Sequence, residues 1–315
     1  MTGGGGFIGS ALSCALIGAG YEVRILDNLI TGSEERVPAD AELVKSDLRD
    51  LDGVRRACRG VDVVFHQAAI RSVPRSIEDP ALAESCNSLG TLHVLVGSEE
   101  AGVERIVYAS SSSAYGGARE GVSREDMASN PLSPYAVSKL SGENYCRVWS
   151  ITKGLSTVSL RYFNVFGPGQ QPDSKYSAVF PAFISALAQR RAPEVHWDGG
   201  QSRDFTYIDD VVRANMLAAT ADARADGAVI NIAGGHPRSI NDTLAEISKT
   251  MGVWIDPVRL PKRSGDVRSS HADISRAAEL IGWTPRARFE DAVRHTVEWL
   301  TRIYTVPAAA AMARA

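Results

Sequence analysis

The sequence predicts an α/β fold: a doubly wound parallel sheet with a smaller α+β domain attached. Three observations predict it. Short apolar runs alternate with helix-length segments through the first half, glycines crowd the opening turn, and an acid closes the strand after the first helix. The runs at 22–26, 61–65, 105–109 and 157–161 read as buried strands, each flanked by an amphipathic stretch. Such alternation marks βαβ units, whose right-handed crossovers place helices on both faces of a parallel sheet.

After Asn164 the alternation loosens, and Gly167, Pro168, Gly169 and Pro172 punctuate the chain. The main domain is expected to span 1–164, with a helix at 205–219 and a strand at 228–233 returning to it. The smaller domain takes 165–204 and 234–305, and the Ala-rich tail 306–315 is expected to be disordered. Only Met1 and Thr2 precede the glycines, where a mid-sheet strand is expected. Losing that strand would expose ladder groups on two neighbours. The natural polypeptide is therefore expected to begin several residues upstream.

Composition narrows the function classes. The 315 residues are 44% hydrophobic and 23% charged, with a net charge of −3, a balance that invites neither nucleic acid nor a membrane surface. No apolar run approaches the roughly 18 residues needed to span a bilayer, and no basic stretch and apolar core mark a signal peptide. Cys14, Cys58, Cys86 and Cys146 lie far apart without a CxxC pair. They read as reduced thiols filling core positions of a cytoplasmic protein that holds no metal.

The opening reads Gly3-Gly4-Gly5-Gly6-Phe7-Ile8-Gly9-Ser10 and runs into a helical pattern. Glycines let the backbone approach a pyrophosphate, and the helix start offers free N–H groups and the positive dipole end. This is the Rossmann arrangement, although the run fits both G-x-G-x-x-G and G-x-x-G-x-x-G. Asp27 ends the second strand about 20 residues on. A carboxylate there accepts hydrogen bonds from an adenosine ribose and repels a 2′-phosphate, which selects NAD over NADP. Asp47 is a weaker candidate for the adenine edge.

Tyr135-Ala136-Val137-Ser138-Lys139 follows Pro131 and Pro134 into a helix, so Tyr135 and Lys139 share a face. A phenol with a pKa of about 10 is a poor base at neutral pH. A nearby ammonium and a positive nicotinamide favour the phenolate. Lowering the phenol by about 3 units, roughly 4 kcal/mol, would suit a general base. Upstream, the strand at 105–109 runs into Ser110, Ser111, Ser112 and Ser113. The carboxyl end of such a strand faces the ligand crevice, where hydroxyls can bond a sugar and a phenolate.

Together with Phe65-His66-Gln67-Ala68-Ala69 and Arg161-Tyr162-Phe163-Asn164-Val165-Phe166-Gly167, these motifs resemble the extended short-chain dehydrogenase/reductase family. The resemblance covers residue 2 to about 304, and is nearest to UDP-hexose 4-epimerases acting on UDP-N-acetylglucosamine. Ser72-Val73-Pro74-Arg75-Ser76 and the run 164–170 carry that closer similarity.

The resemblance implies a catalytic set of Tyr135, Lys139, Ser111 and Ser112. It implies NAD contacts at Gly3, Gly6, Phe7, Ile8, Gly9, Asp27, Asn28, Asp47, Leu48, Ala68, Asn87, Tyr135, Lys139 and Tyr162. UDP-sugar contacts would fall on Ser72, Ser111, Tyr135, Asn164, Gln170, Ala178, Arg203, Arg263, Asp266 and Ser270. Tyr135 would take the 4-hydroxyl proton while the C4 hydride passes to NAD. The keto sugar then turns over and receives both back with C4 inverted.

In the family a residue eight positions into Arg-x-Gly-Asp gates the sugar's 2-substituent. Here it is Ser270, small enough to admit an N-acetyl group, and Ala178 is also small. UDP-N-acetylglucosamine and UDP-N-acetylgalactosamine are thus the expected pair, with UDP-glucose and UDP-galactose also accepted. The family usually has glycine where this chain has Trp197, which bears on the uridine side. A UDP-glucuronate 4-epimerase or decarboxylase is the alternative, with Arg71 or Arg75 meeting the carboxylate. A 4,6-dehydratase is a weaker one, because Ser111–Ser113 replaces its threonine and acidic pair. Helices at about 81–100 and 135–150 are expected to build a homodimer through a four-helix bundle.

Overall fold

The computed structural model describes residues 1–117, 121–170, 178–262 and 267–305. Strands β1 (Arg24–Asp27), β2 (Glu42–Lys45), β3 (Val63–His66), β4 (Arg105–Ser111) and β5 (Ser156–Tyr162) come first in the chain. β6 (Val165–Phe166), β7 (Glu194–His196), β8 (Ser202–Arg203) and β9 (Thr206–Tyr207) precede β10 (Ala228–Ile232). β11 (Arg238–Ser239) and β12 (Val258–Leu260) close the series. β3, β4, β5 and β10 pair in parallel in that order, and β1 pairs in parallel with β2. Thr2 bridges Leu26 on one side and His66 on the other, so the full order is β2-β1-Thr2-β3-β4-β5-β10.

Met1 and Thr2 thus hold the middle of the sheet. Thr2 N–H donates to the Phe65 carbonyl at 2.9 Å and Leu26 N–H to the Met1 carbonyl at 2.8 Å. A groove of about 790 Å³ continues their line between β1 and β3, lined by Val23, Leu26, Val63 and Phe65 among others.

Helices cover both faces, as the alternation predicts. α1 (Phe7–Gly18) and α8 (Ile208–Ala219) pack together on one side. α2 (Leu51–Cys58), α5 (Gly90–Ala101) and α6 (Pro134–Lys153) cover the other. β4 and β5 are buried along nearly their whole length, the mark of strands covered on both faces. α7 (Val179–Ala188), α9 (Ile240–Met251) and α11 (Phe289–Thr305) pack on one another as the remaining layer, and α10 (Ser275–Ile281) packs on β10 and α8. One apolar cluster runs from Leu12, Ile25 and Leu160 of the sheet side to Ile184, Leu244 and Leu300 of that layer. Phe166 stacks on Phe180 with centroids 4.1 Å apart at the junction.

Three expectations need correction. The helix expected from 205 begins only at Ile208, because Thr206 and Tyr207 pair with Val165 and Phe166 as a short parallel ladder. The Thr206 hydroxyl holds this turn by donating to the Phe163 carbonyl. The helix expected at 81–100 is interrupted: after α3 (Val73–Glu78) and α4 (Pro80–Ala83) a π-helical segment spans Glu84–Leu89 before α5. Such a widened turn often sits at a functional site. Cys14 is exposed rather than core-filling, whereas the other three thiols are buried, and all four are free.

Candidate active site

The glycine turn is built by close approach. Gly3 has φ +72°, and a Cβ there would lie 2.7 Å from the Ala68 backbone. At Gly9 a Cβ would meet the Gly3 carbonyl oxygen at 2.1 Å. Gly6 caps α1 with no side-chain bond and no acid in the first turn, so the helix start stays open to an anion.

Asp27 locks the turn to the end of β1: its carboxylate accepts from Gly5 N–H at 2.9 Å and Leu29 N–H at 2.8 Å. An ionised carboxylate has about four lone-pair sites, so it keeps capacity for a ribose. Asn28 donates to Asp47 at 2.8 Å, and the Arg49 guanidinium holds the Asp47 carboxyl well below the usual range.

A crevice of about 620 Å³ opens at the carboxyl ends of the strands. Gly3, Gly6, Phe7, Ile8 and Gly9 line it from the turn, and Asp27, Asn28, Asp47, Leu48 and Ala68 from the strand ends. Ser111, Ser112, Tyr135, Lys139 and Tyr162 close its floor, with Asn164 and Gln170 at its far edge. Eighty-four positions separate Asp27 from Ser111, yet topology brings them to one cleft, as it does in doubly wound sheets.

The helix that carries Tyr135 and Lys139 is anchored at its start. The Ser133 hydroxyl caps α6 by accepting from Ala136 N–H at 3.2 Å, and Tyr135 N–H donates to the Ser76 hydroxyl at 3.1 Å. One turn later the Lys139 ammonium, 3% exposed, donates to the Ala109 carbonyl at 2.8 Å. It also stands 5.0 Å from the Tyr108 ring centroid. Burial lowers Lys139 to about 8, with Glu143 among the groups opposing the shift.

The expected fall of the Tyr135 phenol is reversed in the protein itself. Burial raises it above its ordinary value, while hydrogen bonding to Ser111 and the Arg71 guanidinium pull it down. Desolvation of a buried phenolate outweighs those two contacts.

Asn87 lies behind the crevice and does not line it. From the π-helical segment its side chain accepts from Ile70 N–H at 2.8 Å and donates to the Ser138 hydroxyl at 3.0 Å. Ser138 in turn donates to the Tyr135 carbonyl, so Asn87 ties the β3 exit loop to α6. Ser72, at φ +106°, caps α3 by accepting from Arg75 N–H at 3.4 Å, just outside the lining.

At the far edge Asn164, at φ +36°, donates to the Asp204 carbonyl at 3.1 Å and the Ser270 hydroxyl at 3.4 Å. Ser270 thus stands beside the crevice without lining it. The buried side-chain amide oxygen of Gln170 has no hydrogen-bond partner. Arg203 donates to the Ser202 and Val267 carbonyls and does not line the crevice, and neither does Ala178, the exposed cap of α7. Arg263 and Asp266 lie outside the described residues.

Sequence reasoning missed Arg36. The 30–36 loop folds over the glycine turn, with Ser33 N–H donating to the Gly5 carbonyl at 3.0 Å. It places Arg36 in the crevice with Arg71, and one Arg36 amine is buried without a partner. The only signal was nearness to Asp27. This glycine cradle and an unpartnered guanidinium fit the diphosphate of NAD. Among the described residues no three His, Cys, Asp or Glu side chains gather as a metal site, and no helix is long and apolar enough to cross a membrane.

The model of the NAD dependent epimerase/dehydratase family matches residues 1–233. A UDP-glucose 4-epimerase of Mycolicibacterium smegmatis is 34% identical over 307 residues, covering 95% of this chain and 97% of that protein. The UDP-N-acetylglucosamine 4-epimerase of Methanobrevibacter ruminantium M1, solved with UDP-N-acetylmuramic acid, superposes with TM-score 0.91 at 37% identity over 96% of this chain and 97% of its own. The UDP-glucose 4-epimerase of Thermotoga maritima, solved with UDP-glucose, gives 0.90 at 34% over 96% and 98%. With that cradle and those matches, the chain belongs to the NAD dependent epimerase/dehydratase family, within the extended short-chain dehydrogenases/reductases.

Proposed function

We propose that this NAD-dependent UDP-sugar 4-epimerase interconverts UDP-N-acetylglucosamine and UDP-N-acetylgalactosamine, and takes UDP-glucose and UDP-galactose as well. The observation that carries the reading is the contact from the Asn164 amide, in the crevice, to the Ser270 hydroxyl beside it, at 3.4 Å. A serine beside that edge of the crevice leaves room for a 2-acetamido group. Residues 1–164, with 205–233, hold the cofactor, and 165–204 with 234–305 hold the sugar nucleotide.

NAD supplies a reversible acceptor for the hydride at C4. Tyr135 accepts the 4-hydroxyl proton and later returns it. Lys139 supplies the cation that favours the phenolate, and Ser111, with Ser112 beside it, hydrogen-bonds the hydroxyl and the phenol. Asp27, Asn28 and the glycine turn hold the dinucleotide, with Arg36 and Arg71 on its diphosphate. Sugar contacts stay few so that the ring can turn over, which leaves the uridine diphosphate as the anchor. Free thiols at all four cysteines suit a reducing cytoplasm.

Incubation with each UDP-sugar, without added reductant, followed by product identification tests this. Conversion within both acetamido sugars is expected; conversion of neither, with the other pair turned over, would refute the substrate assignment. Arg71 and Arg75 in the crevice support a second reading, a UDP-glucuronate 4-epimerase or decarboxylase. It is favoured if UDP-glucuronate alone is converted.

The partner is a second copy of the chain. Val137, Val148 and Ile151 are exposed along one stripe of α6, and Leu89 is exposed beside α5. Two such faces suit a four-helix bundle about a two-fold axis.

A further inference from the structure

Two turns beyond Tyr135, α6 buries a charge. Glu143 and Arg161 are 3% and 4% exposed in their side chains and pair in the bidentate manner, both N–O distances being 2.7 Å. The Ser110 hydroxyl donates to the same carboxylate at 2.5 Å. Arg161 sits directly opposite Ser110 in the β4–β5 ladder, and its guanidinium lies 4.4 Å from the Tyr115 ring centroid. None of these charges reaches a ligand in the reading above. A buried pair of this kind is weak evidence for stability, because desolvation offsets its attraction, but it can fix one geometry.

Three consecutive residues of β4 contact three residues of α6 at four-residue spacing. Ala109 receives the Lys139 ammonium, Ser110 binds Glu143, and Ser111 hydrogen-bonds Tyr135. The middle contact is the one without a reacting partner. We infer that Glu143 and Arg161 are positioning residues, setting the register of α6 against the end of β4 so that Tyr135, Lys139 and Ser111 meet the sugar together. The inference rests on the assignment of Tyr135 as base.

Glu143 also has an electrostatic part. Around Lys139 stand Tyr135, Glu143 and Cys146 of α6, Tyr108 of β4 and His66 of β3. Burial keeps His66 neutral, at about 3, and pushes the Tyr108 phenol and the Cys146 thiol up. Glu143, paired to Arg161, is the anion that supports the Lys139 charge. Removing the carboxylate lowers Lys139 further, so the ammonium is lost at lower pH.

The test uses the whole protein and three variants: Glu143→Gln, Ser110→Ala, and the double Glu143→Leu/Arg161→Met, which removes both charges and leaves none unpaired. In Glu143→Gln, kcat is expected to fall about 10- to 100-fold, as a small misplacement of catalytic groups does. Its KM for the UDP-sugar should stay within about twofold, since the anchor is untouched. The alkaline limb of its kcat profile should move to lower pH. Ser110→Ala, which adds no unpaired charge, should lower kcat with unchanged KM. The double variant should melt near the wild type yet keep a reduced kcat.

Wild-type kcat in Ser110→Ala and in the double variant would overturn the inference, as would a kcat that returns with melting temperature. Tyr135→Phe separates the two claims. Full activity there removes the base and this inference with it, whereas an inactive Tyr135→Phe beside a fully active double variant removes the inference alone.

Discussion

Tyr135 and Lys139 sit in one crevice with opposed shifts, the phenol raised by burial and the ammonium lowered to about 8. A lysine with that value keeps its charge below pH 8 and loses it as pH rises through that point. Turnover should therefore decline on the alkaline side near pH 8, measured as kcat against pH with saturating substrate. Replacing the phenol leaves the glycine cradle intact. Tyr135→Phe should keep its NAD, read from the absorbance of the purified protein, and lose about 10²- to 10⁴-fold in kcat, the usual contribution of a general base. Ser270→Tyr addresses the sugar wall: the bulkier ring should suppress turnover of the acetamido sugars while sparing UDP-glucose. Equal activity on both pairs in that variant would place Ser270 away from the sugar.

At the scale of the element, the glycine turn makes the sharpest demand. A methyl at Gly9 would collide with the Gly3 carbonyl oxygen, which is backbone and cannot swing aside. Gly9→Ala should distort the start of α1, and the purified variant should carry little NAD and lose heat stability. Retention of bound NAD by that variant would show the cradle to be more compliant than its spacing implies.

This turn, β1 ending at Asp27, and the Tyr135 helix were legible in the sequence because each depends on local chemistry: small residues, a strand-end acid, a capped helix. The start of α8 was not legible, because Thr206 and Tyr207 are held by a ladder partner some 40 residues earlier, in Val165 and Phe166. The π-helical turn escaped for a similar reason. Asn87 must face both Ile70 and Ser138, contacts that no helical period announces. Arg36 in the crevice depends on a loop folding back over the glycines. Ser72, Asn87, Ala178, Arg203 and Ser270 show the reverse, positions named by resemblance that the fold sets behind or beside the cavity rather than in its wall.

Across the whole molecule, α6 presents two different faces. Its inner face presents Tyr135, Lys139 and Glu143 to the sheet, and its outer stripe presents Val137, Val148 and Ile151 to solvent. On the proposed reading, an exposed apolar stripe on this helix suits a contact between copies, since burial there would also stiffen the helix that holds Tyr135. The double substitution Val148→Glu/Ile151→Glu places like charges opposite their own copies across a two-fold axis. The wild type should elute as a dimer in light-scattering chromatography and the variant as a monomer. Because the stripe touches neither cofactor nor sugar, the monomer should still hold NAD, with kcat reduced rather than abolished. A wild type that is monomeric at the same concentration would sink the two-fold bundle and leave the α6 stripe a solvent-facing surface.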